Sequence, residues 1–201
     1  MGKIKLSVNI AKLCIMLVFL TSCAQSSYLL DNSKFTPFKE FNKTSMFDRS
    51  SEVMSLSIVD GREDKQFLGM AKTGARYTET PFVAEVTPQI FLETFYTKEL
   101  SRRGLTLSGS AEAQIEIVIN ELWVDEIQEK FKGERARCQI DLSLFAKKDI
   151  KSFKGSYWAK IESAANLSDG TDHLTPTLAS CLNVSIEKIV KDVKFSTFLK
   201  N

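Results

Sequence analysis

The chain has 201 residues, 43% of them apolar and 26% charged, a composition that supports one globular domain with a core. Its formal charge of +2 is concentrated at the N-terminus: Lys3, Lys5 and Lys12 meet no acid before residue 23, and the 27 basic residues less these three nearly match the 25 acidic ones. No Lys/Arg stripe or interleaved aromatic platform remains to track phosphates, so no nucleic-acid partner is expected.

The chain opens with those lysines and an uninterrupted apolar run from Leu13 to Leu20, the order of a secretory signal. As a helix rising ~1.5 Å per residue the run covers roughly 12 Å, against a bilayer core of about 30 Å, so it predicts a removed signal rather than a membrane span. Leu20-Thr21-Ser22-Cys23 ends the run in the pattern of a bacterial lipobox. It predicts cleavage after Ser22 and lipid on Cys23; the alternative is an ordinary signal with a fortuitous cysteine behind it. Three acyl chains on Cys23 would bind the membrane essentially permanently, since two lipid signals already anchor stably. Ala24, where an aspartate would otherwise stand, implies the outer membrane by resemblance to sorted bacterial lipoproteins, with the remainder facing the periplasm.

The predicted organisation is a signal over residues 1–22, a lipidated N-terminus and tether over 23–51, and a single α+β domain over 52–201. Ser26, Ser27, Asn32, Ser33, Asn42 and Ser50 interrupt any periodicity in the tether. From Cys23 to Val53 its extended reach would be ~100 Å. Phe35, Phe38, Phe41 and Phe47 either pack on the domain or dock a partner.

Alternation at Met54, Leu56 and Ile58 predicts a half-buried strand that stops at Asp60-Gly61-Arg62, and a second short strand covers Phe67 to Ala71. Thr87-Pro88 supplies an N-cap and a first-turn proline for a helix carrying Leu92, Phe95, Tyr96 and Leu100, closed by Gly104. Three longer strands follow around Ile115 to Ile119, Ala136 to Leu144 and Phe153 to Ile161, each alternating wet and dry. Such strands are expected to pair antiparallel, with a hairpin near Lys148-Asp149. A second helix opening at Thr175-Pro176 offers Leu178, Leu182, Ile186, Ile189 and Val193 to the dry face. The expected fold is therefore α+β: an antiparallel sheet of about four to five strands with two helices on one face.

In chain order, Asp60-Gly61-Arg62 after a strand, a helix closing on Ser101-Arg102-Arg103-Gly104-Leu105, strands around Ile115 to Trp123 and Tyr157, and a terminal Phe198-Leu199-Lys200 resemble the YajG-like outer-membrane lipoproteins. That resemblance covers the chain from signal to C-terminus and implies no activity.

Chemistry is sparse. His173 is the single histidine, and the cysteines lack CxxC spacing, so neither a metal nor any other cofactor is expected. A Ser-His-Asp site would have only His173, in a polar loop with no GxSxG elsewhere. Glu63 and Asp64 are paired carboxylates of the type a glycan-cleaving site uses, but adjacent residues on a turn specify no geometry for it. Asp60-Gly61-Arg62 reads as a turn with an ion pair or an N–H acceptor, the alternative being a ligand site. Cys138 and Cys181 lie on facing apolar stripes and either bridge, which an oxidising periplasm favours, or remain buried thiols. Trp158 and Phe145 fall among polar neighbours on wet strand faces, to be covered by the tether phenylalanines, a protein partner or a glycan stacked on Trp158; Trp123, the third candidate for partner binding, falls on either face depending on a bulge near Asn120-Glu121.

The leading expectation is a non-catalytic outer-membrane lipoprotein, held through lipid on Cys23, whose domain binds a protein complex or peptidoglycan. The alternatives are a periplasmic enzyme acting on glycan or peptide, and a structural subunit of a secretion or motility assembly.

Overall fold

The computed structural model describes residues 27–30, 53–72, 78–130, 133–167 and 171–200. Ser22, Cys23 and the tether phenylalanines lie outside them.

Three long strands form the centre of the fold: β6 (Ala113–Glu129), β7 (Gly133–Lys148) and β8 (Lys151–Ala164). They pair antiparallel as the alternation predicts, with Ile117 opposite Leu144 and Leu142 opposite Tyr157. Their apolar members, Ile115, Ile117 and Ile119, then Cys138, Ile140, Leu142 and Leu144, are buried on one face. The β7–β8 turn consists of Asp149 and Ile150; Asp149 adopts φ 52°, a left-handed conformation that a short polar side chain tolerates.

The other edge of β6 is shared between two sets of strands. β2 (Val53–Asp60) runs parallel to its first half, from Met54 opposite Ala113 to Asp60 opposite Ile119, and β5 (Thr106–Leu107) extends β2. β3 (Gly69–Ala71) runs parallel to its second half, and β4 (Thr80–Val83) and β1 (Tyr28–Leu29) extend β3. A bulge at Asn120 marks the changeover. Gly69 is obligatory here, because a Cβ on it would stand 1.6 Å from the Val124 carbonyl oxygen.

Helix α1 (Pro88–Arg102) starts as its sequence indicates: the Thr87 hydroxyl accepts from the Ile90 N–H at 3.4 Å, and Pro88 occupies the first turn. Gly104, at φ 98°, turns the chain away from it. Helix α2 (Leu174–Val190) begins where the Asp172 carboxylate accepts from the Thr175 N–H at 3.0 Å. Helix α3 (Val193–Lys200) is opened by Asp192, which accepts from the N–H groups of Lys194 and Phe195. Leu92, Tyr96 and Leu100 of α1 and Leu178, Leu182, Ile186 and Ile189 of α2 close the core against the dry face of the sheet.

The α+β class stands, with three corrections among the described residues. The sheet has eight strands rather than four to five, because β1, β4 and β5 are too short to show a period. It is mixed, since β2 and β3 run parallel to β6. A third helix, α3, joins the expected two: the second helix stops at Val190, so Val193 opens α3 and is 77% exposed rather than covering the dry face, while Phe195 and Leu199 are buried beside β8. Tyr28–Leu29, inside the segment read as a tether, belongs to the sheet.

Candidate functional site

With the helices on one face, the opposite face of β6, β7 and β8 carries the alternate side chains. Cross-strand pairs organise it. Arg137 forks onto Asp125 through Nε at 3.1 Å and Nη2 at 2.7 Å, and this carboxylate holds the guanidinium proton more firmly than usual. Gln139 donates to Glu121 at 3.0 Å, and Asn120 donates to Asp141 and Ser143. Arg135 and Lys160 both meet Glu162. Such exposed pairs contribute only about 0.2–1 kcal/mol each, so they fix side-chain positions more than they stabilise the fold.

Three aromatic residues interrupt this polar surface. Trp158 is 50% exposed on the edge strand β8. Lys188 of α2 reaches round that edge, donating to the Trp158 carbonyl oxygen and lying 5.7 Å from the indole centroid. Phe145 is 36% exposed, with Lys154 of the neighbouring strand 5.1 Å from its ring centroid. It borders a shallow depression of about 600 Å³ that also takes in Glu116, Lys147 and Ser152. Trp123 is half-buried on the same face: the bulge at Asn120 keeps Leu122 and Val124 inward, and the segment Arg62–Asp64 lies beside the indole across a depression of about 390 Å³.

The face thus gathers all three aromatic candidates but does not bring them into contact. Trp158 lies opposite Asp141, four residues along β7 from Phe145, which places the two roughly 14 Å apart at ~3.3 Å per residue. The arrangement suits an extended partner touching several points rather than a small molecule enclosed in a pocket.

Beneath the changeover in β6, Asp60 and Arg62 form an ion pair, and Asp60 also accepts from the Arg62 N–H, so both arrangements read for this turn occur together. Both residues are 4% exposed; Nε and Nη2 of Arg62 each lie 2.9 Å from a carboxylate oxygen of Asp60, and Nη1 donates to the carbonyls of Phe67 and Leu122. The guanidinium thereby satisfies backbone that neither β2 nor β3 reaches. A second buried carboxylate, Glu99, takes Arg102 at 2.7 Å and Arg103 at 2.5 Å. Sequence reading passed over this cluster, although the spacings of three and four residues along a helix signal it.

Of the remaining candidates, Glu63 and Asp64 border the Trp123 depression, and His173 and the two cysteines stand apart from the open face. His173 precedes α2, and its Nε2 accepts from the Asn166 N–H at 3.2 Å. Glu63 and Asp64 are exposed, with Asp64 accepting from the Gln66 N–H. Among the described residues no group of three His, Cys, Asp or Glu side chains is placed to hold a metal ion. Cys138 and Cys181 are neighbours across the β7–α2 contact, both fully buried and both free thiols. Burial, reinforced by Cys181, pushes the Cys138 thiol well up, so it stays protonated and unreactive. Tyr96 lies in the same region, its hydroxyl 2.8 Å from Ser185 Oγ, and burial raises its pKa strongly.

A mixed sheet backed by helices on one face places the chain among two-layer α+β proteins. More particularly, it belongs to a family of uncharacterised lipoproteins, Lipoprotein_16, whose model matches residues 40–200. Among the described residues no helix is long and apolar enough to cross a membrane. No curated protein matches the chain. Similar solved structures include a Xanthomonas campestris protein of family DUF330, 10% identical, at a TM-score of 0.43 over 87% of this chain and 95% of that one. Another is a minor lipoprotein from Acinetobacter baumannii, also 10% identical, at a TM-score of 0.40 over 73% and 92%.

Proposed function

We propose that this is a non-catalytic lipoprotein of the YajG-like kind, cleaved after Ser22, anchored in the outer membrane through lipid on Cys23, whose periplasmic domain binds an envelope partner. The partner is a protein complex or peptidoglycan, and it meets the open face of β6, β7 and β8. The observation that supports this reading is the exposure of Trp158 and Phe145, each with a lysine against its ring, on a sheet face that the helices leave uncovered. Large rings with a cation on one side and free area on the other are the residue type that anchors interfaces.

Photo-crosslinking side chains placed at position 158 or 145, and at Ile90 on α1 as a control, test this in intact cells. The expected result is a discrete protein adduct or covalent attachment to peptidoglycan from 158 and 145, with none from 90. Equal labelling from all three positions, or none from any, would overturn the proposal.

A further inference from the structure

The position of β1 limits how far the domain can stand from its anchor. Tyr28 lies opposite Phe82 and Leu29 opposite Val83, the Leu30 N–H donates to the Val83 carbonyl at 2.7 Å, and Leu30 is buried. The Tyr28 ring also packs 6.0 Å from that of Phe82. Between Cys23 and Tyr28 the chain has only Ala24, Gln25, Ser26 and Ser27. Five extended residues reach at most about 17 Å, far short of the ~100 Å available if the first fixed residue were Val53.

The pairing also gives this leash a direction. β3 runs parallel to β6 with Gly69 opposite Val124, β4 runs antiparallel to β3, and β1 runs parallel to β4. β1 is therefore antiparallel to β6, and the chain preceding Tyr28 leaves towards the end of the sheet where β6 passes into β7. The β7–β8 turn, with Ile150 99% exposed between Lys148 and Lys151, lies at the other end.

We propose that the anchor is a short leash holding the domain against the bilayer, with the β6–β7 end inward and the β7–β8 tip outward into the periplasm. This rests on the Cys23 anchor proposed above. β7 has 16 residues and is about 50 Å long at ~3.3 Å per residue. With the leash of about 17 Å added, any partner must therefore come within roughly 70 Å of the membrane.

The test uses the full-length lipidated protein, taken from the envelope and reconstituted in phosphatidylethanolamine–phosphatidylglycerol vesicles containing a nitroxide-headgroup lipid. A dye is placed at Gln128→Cys or Ile150→Cys; both positions are exposed, while Cys138 and Cys181 are buried. Quenching is expected to be several-fold stronger at 128 than at 150. Insertion of about twenty Gly/Ser residues after Ser26 is expected to abolish the difference, because such a segment is a flexible coil. Equal quenching, stronger quenching at 150, or a difference that survives the insertion would overturn the orientation in protein that floats with the vesicles. Protein that fails to float would overturn the anchor itself, and the orientation with it.

Discussion

Arg62 closes the edge of the sheet where β2 has ended and β3 has not begun. Removing one partner from a buried pair leaves an uncompensated charge, so Arg62→Ala is expected to cost about 3–5 kcal/mol in urea unfolding. Arg62→Lys should recover little of this, since an ammonium lacks the planar fork that meets Asp60 with two nitrogens and still leaves Nη1 for Phe67 and Leu122. A loss below about 1 kcal/mol in Arg62→Ala would mean that solvent replaces the guanidinium without penalty.

The buried phenol and thiols give two further residue-level expectations. Tyr96 has its pKa raised by burial, so the neutral form is favoured in the folded state: its contribution is intact below the unfolded tyrosine pKa of about 10 and is lost as pH rises towards the folded value. Unfolding midpoints measured across the alkaline range should fall above about pH 10, less steeply in Tyr96→Phe; parallel curves would contradict this. Cys138 and Cys181 should resist maleimide in the native protein, and both should react after denaturation without reductant. A denatured, unreduced protein that takes no label at either position would show them bridged.

At the level of elements, Gly69 is the tightest point. Its missing side chain lets β3 lie against the Val124 backbone, so Gly69→Ala should detach β3, β4 and β1 from β6. Hydrogen exchange should show lost protection at Val124, whose N–H donates to the Leu68 carbonyl across this contact, while the β7–β8 pairing stays protected; unchanged exchange would contradict the packing. The long strands were legible because Ile115, Ile117 and Ile119, and Cys138, Ile140 and Leu142, repeat at two residues, and α1 because Thr87-Pro88 and Gly104 punctuate it. β1 and β5 were not, since a two-residue pairing contains no period. The parallel placement of β2 was hidden for another reason: alternation reports which face is wet, and not which way a neighbour runs. On the candidate site, the exposure of Trp158 and Phe145 followed from alternation. The half-burial of Trp123 depended on where the bulge fell, and the approach of Lys188 to Trp158 depended on tertiary packing that no local pattern records.

For the whole molecule, the helices and the sheet divide the labour: one face holds the core, and the other carries aromatic points on a scaffold of cross-strand pairs, the surface proposed above to meet an envelope partner. Its placement near the membrane follows only if the chain is fastened immediately before β1. The most direct measurement is the mass of the mature N-terminal peptide from the native envelope. It should begin at Cys23 and carry a diacylglyceryl thioether with an acylated amine; a peptide that begins elsewhere, or a bare Cys23, would contradict the anchored arrangement.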